Sequence, residues 1–475
     1  MSKSFMRICS LLLVFLILFA GTVGCGRSKD TAGSDETGKT VGDGQEEQPK
    51  EEKQPQEEQP AEEEPTVDLG GRVIRVGATW NLEPQEGVSE SGDRYIARLR
   101  NLMEKYNFSL EYAEVPWDQF AETFISSTLS GQPWVDISYA ESTFFYPTFV
   151  VGGLVLPLSD MGVFDFNDPK WNKTVIEYST YNGKVYGMNT GRDDVRSVLF
   201  WNKTMFEREG LPNLYELQNN KTWTWDKFLE VAQKATKDLD GDGVIDQYGF
   251  SGIKTEWIIL ATNNGKTVKF VDGKPTFGLT EPEALEALQF YQDLVNVHRV
   301  YDLPPDGSPW DYGTQRFING KTAMLMTELW HWEMMKQSMH DEYGVVAPPM
   351  GPRANEYVSL LNVFNAVCIP ATTQKPEDVA FVWNAITEPD PEEDPNAWRE
   401  YFEINACDEE SIQTVAMIQD KGLSEYDMMQ SITPLWELSW SFMWQISHGH
   451  KTAQVAINEV AQEAQAYIDD AFNVN

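Results

Sequence analysis

Cysteine is scarce in this 475-residue chain, with four residues at positions 9, 25, 368 and 407. None lies in a CxxC pair or a Cys/His set, so no zinc-type or thioredoxin-type spacing is present. Cys368 and Cys407 lack the spacing of a disulfide framework. An oxidising compartment would permit a bridge between them, but two buried thiols are the simpler expectation. Basic residues are also few, 37 against 74 acidic ones, for a formal net charge of -37. That balance argues against nucleic acid or an anionic bilayer as the main partner, because both demand a basic footprint. A solvated acidic surface accounts for it. No apolar run reaches the roughly 20 residues of a spanning helix. There is no Gly-x-Ser-x-Gly nucleophile turn and no internal repeat at a period of about 20–50 residues. Of the five histidines, His448 and His450 flank Gly449 and read as a surface turn.

What is present begins with an export signal. Met1 to Gly24 carries Lys3 and Arg7 ahead of an apolar run from Leu11 to Ala20, the layout of a cleavable leader. Cys9 would leave with it. Thr22-Val23-Gly24-Cys25 resembles a bacterial lipoprotein cleavage box with Thr22 in the usual leucine position. Cys25 is then the lipidation site. Ordinary secretion with an incidental cysteine is the plainer alternative. Residues 25–70 form an acidic tether of Glu/Gln/Pro repeats such as Glu46-Glu47-Gln48-Pro49. So few large apolar side chains cannot offset ordering entropy, and the tether is expected to be disordered and extended. Within it, Gly33 to Thr40 fits a phosphate-loop pattern. It has neither the strand before nor the helix after that the motif requires, and is read as chance.

About 400 residues remain for the globular part, 71–475, too many for one small core, so two lobes are expected. Arg72–Thr79 alternates as a strand, Arg94–Tyr106 has helical spacing, Phe108–Val115 is a strand, Trp117–Leu129 a helix closed by Gly131, and Val135–Tyr139 a short strand. The pattern recurs in Ser197–Trp201 (strand), Asn202–Glu209 (helix ended by Gly210), Trp225 to about Lys237 (helix capped by Thr224) and Tyr248–Ile253 (strand). Further on come a helix over Pro282–Val297, strands over Tyr343–Ala347 and Val363–Ile369, a helix over Pro376–Ile386, and a last one from about Thr452 to Asp470. Strands alternating with helices imply an α/β fold with parallel sheet.

Several segments in order resemble a known family. They are Asn182-Gly-Lys-Val-Tyr-Gly-Met-Asn189, Leu199-Phe-Trp-Asn-Lys-Thr-Met-Phe206, Glu209-Gly-Leu-Pro212, Thr224-Trp-Asp-Lys-Phe228, Phe317-Ile-Asn-Gly-Lys-Thr-Ala-Met324, Gly344-Val-Val-Ala-Pro-Pro349 and Lys375-Pro-Glu-Asp-Val-Ala380. The series is similar to the extracellular solute-binding proteins of family 1, the sugar-binding group that includes maltose-binding protein. The resemblance implies a two-lobed periplasmic-binding-protein-like (type II) fold with a hinge and an interlobe cleft. Lobe 1 would hold about 71–190 plus part of 340–430. Lobe 2 would hold about 195–340 plus the C-terminal part. It implies a monomer that captures a carbohydrate, passes it to the permease of an ABC transporter and performs no chemistry. With the leader, the location is the outer face of the membrane, held by the lipid.

Sugars present hydroxyls in a ring plane and apolar C–H faces, so aromatic platforms with carboxylate, amide and guanidinium groups at the edges suit them. The chain has 16 Trp, more than core packing requires. Motif by motif, the family places a stacking tryptophan at Trp330 or Trp332, with Trp330 first. It places another before the final helix, at Trp436 or Trp440; these recur with Trp444 every four residues, which is also a packing spacing. Trp80 and Asn81 end the first strand, where open α/β sheets bind ligands. Tyr139 and Glu141 end the third. Asp193, Asp194 and Arg196 precede the crossing strand, and Glu256 and Trp257 follow the strand around Phe250. For each, a core or solvated role is the competing reading.

The sharpest local motif is Asp238-Leu-Asp240-Gly-Asp242-Gly243-Val244-Ile245-Asp246. It matches positions 1, 3, 5, 6 and 9 of an EF-hand loop, and the Val244 carbonyl would serve as a further ligand. Position 12 is Gly249, not Glu. A structural Ca2+ held by Asp238, Asp240, Asp242, Val244 and Asp246 is expected, with water or another carboxylate closing the shell; a bare turn is the alternative. An exported carbohydrate-active enzyme, a receptor serving a membrane sensor, and the same fold binding a non-sugar are the rival functions.

Overall fold

Fourteen strands are found among the described residues of a computed structural model, which covers residues 67–192, 194–391 and 398–472. The leader, Cys25, the tether up to residue 66 and Asp193 lie outside them. The strands are β1 (Arg72–Ala78), β2 (Phe108–Glu114), β3 (Ile137–Glu141), β4 (Thr180–Tyr181), β5 (Lys184–Val185), β6 (Ser197–Asn202), β7 (Tyr248–Gly252), β8 (Val268–Val271), β9 (Lys274–Phe277), β10 (Thr322–Glu328), β11 (Tyr343–Val346), β12 (Ser359–Leu361), β13 (Asn365–Cys368) and β14 (Ser424–Tyr426). Two four-stranded sheets carry the fold. The first has the order β13-β3-β1-β2 and the second β11-β6-β10-β7. In the first, β1 runs parallel to β2, with Arg72 opposite Phe108, and parallel to β3, while β13 closes the edge antiparallel, with Asn365 opposite Glu141. In the second, β10 is parallel to β7 and antiparallel to β6.

The elements arise where local chemistry demands them. Trp117–Leu129 matches the periodicity, and Gly131 takes φ 78° just beyond it. The first helix begins at Glu90 rather than Arg94. Ser89 accepts from the Gly92 N–H, and Glu90 and Asp93 fill the first turn, where acids favour the helix dipole. A polar first turn has no apolar period to read. The third strand starts two residues later than expected, at Ile137, and the strand near residue 365 is shorter, Asn365–Cys368. The helix after Thr224 ends at Ala235, because Thr236 turns extended; Thr224 makes no side-chain cap. The final helix, Ala453–Ala471, is capped by Thr452.

One apolar core lies under the first sheet, with Ile74, Val76, Ile137, Val367, Val379 and Trp383. A larger one surrounds the second, with Phe200, Phe228, Phe250, Leu325 and Trp332. Among the described residues, two chain segments cross between the sheets. Residues 189–196 lead into β6. Strand β12 and residues 362–364 lead into β13, and β14 pairs parallel to β12. Serines fasten the crossing. Ser359 Oγ accepts from Ser197 N at 3.1 Å and donates to its carbonyl at 2.8 Å, and Ser424 Oγ donates to the Asp194 carbonyl at 2.8 Å. Backbone groups in a dry crossing must all be satisfied, and short hydroxyls do this without adding bulk. Cys368 is buried as expected, but Cys407 is exposed, and the two are unpaired. The expectation of two buried thiols therefore fails at Cys407. Burial pushes the Cys368 thiol well up, which keeps it protonated.

Candidate ligand-binding cleft

Strand β10 is buried along its whole length and ends in a carboxylate, Glu328, whose side chain is only 7% exposed. Its Oε1 accepts from Lys254 Nζ at 3.0 Å and from Asn362 Nδ2 at 2.9 Å. Its Oε2 accepts from the Trp330 indole N–H and lies 3.5 Å from Arg196 Nη2. Gln430 completes the node, accepting from Lys254 at 3.2 Å and from Asn362 at 2.6 Å. Burial alone would raise the Glu328 carboxyl. Arg196, Lys254 and the Trp330 N–H together outweigh it and hold the group down at about 2. Arg196 also lies 3.8 Å from Asp194, whose side chain is 58% exposed. Surrounding protein nonetheless raises the Asp194 carboxyl, as in a recess open to water but walled by protein.

Trp330, directly after this node, is 39% exposed. His331 stacks on it with ring centroids 3.8 Å apart, and Trp310 lies 5.7 Å away. Burial pushes His331 down to about 4, so the stack is neutral at ordinary pH. A second aromatic group stands on the helix Thr433–Ser447. Trp436 is half-buried and sits edge-on to the exposed Trp440 at 5.2 Å. Trp444 is exposed too, stacks on His448 at 4.6 Å and donates to Asp306 at 3.2 Å. Asp306 and Trp310 share one loop, which links the two aromatic groups.

The rim of the first sheet is built similarly. Trp80 packs edge-on to Tyr139 at 6.1 Å. Asn81 is exposed and turns back to accept from Glu83 N at 2.9 Å. Glu141 accepts from the indole N–H of Trp117 at 2.9 Å, and Trp117, about half exposed, leans on Phe144 at 5.1 Å. Ser142 ties this rim to the crossing. Its N–H donates to the Phe364 carbonyl at 2.8 Å, and its own carbonyl accepts from Ser431 at 2.9 Å, next to Gln430. Beside the crossing, residues from Asn172 to Gln419, including Asn189, Asp194, Asn365 and Trp398, line a cavity of about 410 Å³.

Two expected contacts are corrected. Trp332 is wholly buried against Phe200 and Phe402, and Trp257 is 5% exposed behind Trp436. Helical geometry places residue 332 on the core side once 330 faces outward. Trp257 likewise faces inward while its neighbour Glu256 stays half-exposed. Trp80, Asn81, Tyr139, Glu141, Asp194, Arg196, Glu256, Trp330, Trp436 and Trp440 all stand at strand ends, on the crossing, or on the aromatic wall. Glu328, Lys254, Trp310, Trp117, Asn362 and Gln430 were not anticipated. An acid ending an otherwise apolar strand two residues before Trp330 was a readable signal. The two amides carried none.

In the aspartate loop, carboxylate oxygens of Asp238, Asp240 and Asp246 lie within 4.8 Å of one another. Asp238 accepts from Gly241 N at 2.7 Å and Gly243 N at 2.8 Å, chiefly the latter lowering its carboxyl. Asp242 accepts from Val244 N at 2.7 Å, and the Val244 side chain is exposed. Gly243 takes φ 91°, as the turn requires. Position 12 is closed to side chains, because a Cβ on Gly249 would meet the Ala232 carbonyl at 2.4 Å. The three gathered carboxylates suit a hard cation; the remaining ligands would be backbone and water.

The fold is that of a two-lobed α/β binding protein of the periplasmic type. The bacterial extracellular solute-binding protein model matches residues 97–402, and this chain belongs to that family. An arabinooligosaccharide-binding protein of Halalkalibacterium halodurans is 25% identical over 240 residues, 48% of each chain, so the chain spans about half the length of the curated relative it matches. An ABC substrate-binding protein from Listeria monocytogenes in complex with cycloalternan shares the fold with a TM-score of 0.58 at 16% identity, over 85% of this chain and 100% of that one. A cyclo/maltodextrin-binding protein complexed with maltotetraose does so at 0.60 and 17%, over 85% and 98%. At such identities the likeness is one of fold. The family is extracellular, and its members bind solutes rather than transform them, which removes the exported-enzyme rival. No helix among the described residues is long and apolar enough to cross a membrane.

Glu256 generates a test. It opens the helix Thr255–Thr262 and faces Lys254, Tyr291 and Tyr301. Burial raises its carboxyl from 4.5 to about 7, against smaller lowering by its own N–H and Lys254. The folded state thus holds a proton that the unfolded chain has lost. The resulting stability cost is absent below about 4.5, grows as pH rises, and is complete above about 7. Glu256→Gln should therefore raise stability by about 1–3 kcal/mol at pH 8, with a smaller gain at pH 5, measured as melting temperature against pH.

Proposed function

We propose that this chain is the lipid-anchored, extracellular receptor of an ABC importer, closing two lobes around an oligosaccharide and presenting it to the permease. The observation that carries the reading is the aromatic wall of Trp310, Trp330, Trp436 and Trp440 beside charged groups at the strand ends. Indoles cover the apolar faces of sugar rings, while carboxylates and amides take the hydroxyls. The likeness to an arabinooligosaccharide-binding protein and to sugar-complexed structures supports the same ligand class. The crossing segments form a hinge about which the lobes close, with ligand favouring the closed state.

Titration of intrinsic fluorescence with arabino-, malto- and manno-oligosaccharides should give saturable binding without hydrolysis. Trp330→Ala should weaken it by roughly tenfold or more while leaving the melting temperature nearly unchanged. Trp332→Ala should instead cost about 3–5 kcal/mol of stability. Unchanged affinity in Trp330→Ala would remove that ring from the site.

Attachment through Cys25 follows from the leader and the cleavage box. Cells fed a labelled fatty acid should incorporate it into the protein, and Cys25→Ser should abolish both label and membrane fractionation.

The aspartate loop is read as a structural Ca2+ site formed by Asp238, Asp240, Asp242, Asp246 and the Val244 carbonyl. Its role would be to hold the helix-to-strand join between Ala235 and Tyr248. Added Ca2+ should raise the melting temperature by several degrees, by mass action on the folded state, and Asp240→Asn should shrink that shift. A melting curve indifferent to Ca2+ and to chelator would leave the loop a bare turn.

A further inference from the structure

The charges at the cleft are unequal in their availability. The cations at its polar node, Arg196 and Lys254, are both engaged by Glu328, at 3.5 and 3.0 Å. Lys254 is further held by Gln430, and Arg196 by Asp194. Glu328 is itself 7% exposed and takes two more hydrogen bonds, from Asn362 and Trp330. Separating either cation from it would leave a buried charge unpaired, which is among the costlier changes a protein can suffer. The acids nearer water are less committed. Asp194 is 58% exposed and faces Arg196 at 3.8 Å. Glu141 on the opposite rim accepts a single indole N–H. The described groups of the cleft therefore offer hydroxyl acceptors and residual negative charge, with Lys254 hydrogen-bonded into the node and Arg196 held there by ion pairing.

We propose that Glu328 is a specificity residue that locks Arg196 and Lys254 away from solute, so that the cleft takes neutral oligosaccharides and refuses acidic ones such as uronate-containing chains. This rests on the saccharide reading above and narrows it. A uronate carboxylate entering beside Trp330 meets Glu328 and Asp194, with both nearby cations turned toward those acids. It cannot displace Glu328, which sits deeper and carries four partners. Rejection by unmatched charge is a common route to specificity, and like charges brought together in a partly dry site discriminate strongly. Replacing the carboxylate by an isosteric amide removes the lock and keeps the shape. The amide oxygen introduced by Glu328→Gln would still accept from Asn362 or Trp330, while Arg196 and Lys254 would regain charge toward the cleft.

The test uses the full-length mature protein and the neutral trisaccharide that binds best among arabinotriose, maltotriose and mannotriose. It is compared with its counterpart oxidised at the primary hydroxyls to the uronate, by calorimetry. The wild type should bind the uronate roughly a hundredfold more weakly, and salt should narrow that gap by screening repulsion. Glu328→Gln should cut the preference for the neutral sugar at least tenfold, with circular dichroism confirming its fold. Uronate binding in the wild type as tight as that of the neutral sugar overturns the inference and leaves the saccharide reading standing. An unaltered preference in folded Glu328→Gln also overturns it. If that variant does not fold, the wild-type salt series decides, since a gap that salt does not narrow is not electrostatic. Binding of no trisaccharide at all removes the saccharide reading, and this inference with it.

Discussion

A carboxylate at the end of a fully buried strand can persist only if the protein answers it from several sides. Glu328 is that carboxylate, and four separate pieces of chain answer it. They are the entry to β6, the turn after β7, the residue pair following β10 and the crossing segment at Asn362; the turn at Gln430 braces Lys254 and Asn362 from behind. Lys254 reaches it from a left-handed backbone, φ 56°, a conformation that non-glycine residues adopt sparingly. Such conformations persist where surroundings over-determine them. The position of Trp330 follows from the same group, because its indole N–H is anchored there. So the orientation of the stacking ring, the placement of the crossing segment and the charge offered to solute are not independent features. They share one buried acid.

The crossing shows a second economy. Ser142, Ser197, Ser359, Ser424 and Ser431 place short hydroxyls or backbone groups where segments from the two sheets meet. Each contact satisfies a backbone donor or acceptor that water cannot reach. Rings meet at the same place, Phe364 lying 4.9 Å and Tyr178 4.8 Å from Tyr426. The crossing is therefore both hydrogen-bonded and packed, and a motion selected by ligand would turn about it.

The parts of the fold legible in the sequence were those written as periodicity. Arg72–Ala78, Trp117–Leu129, Pro282–Asn296 and Pro376–Ile386 alternate or repeat as their structures require. Boundaries failed where side chains rather than period decide them, as at Ser89, or where backbone turns without warning, as at Thr236. Short strands β12 and β14 escaped because three residues hold no period. In the site, rings and charges at strand ends could be nominated from type and place. Whether a tryptophan faces solute or core could not, since Trp330 and Trp332 differ only in the direction the chain turns after β10. The partners of Glu328 include residues 196, 254 and 362, a convergence that only the tertiary fold creates.

The exposed indoles need a reason, because a soluble chain rarely displays contiguous aromatic surface without a partner. Trp310 and Trp440 are each more than 60% exposed, and Trp330 is 39% exposed. The rings are nevertheless held in place before any ligand arrives. Trp330 is fixed by Glu328 and His331, and Trp436 by Trp257 behind it. Rings fixed in advance lose little freedom on binding, so more of the area they bury with a sugar becomes affinity. The same exposure invites self-association, and the net charge of -37 opposes it. An acidic surface and an aromatic cleft are in this sense complementary requirements. On the proposed reading, the charge keeps the wall in water until solute covers it.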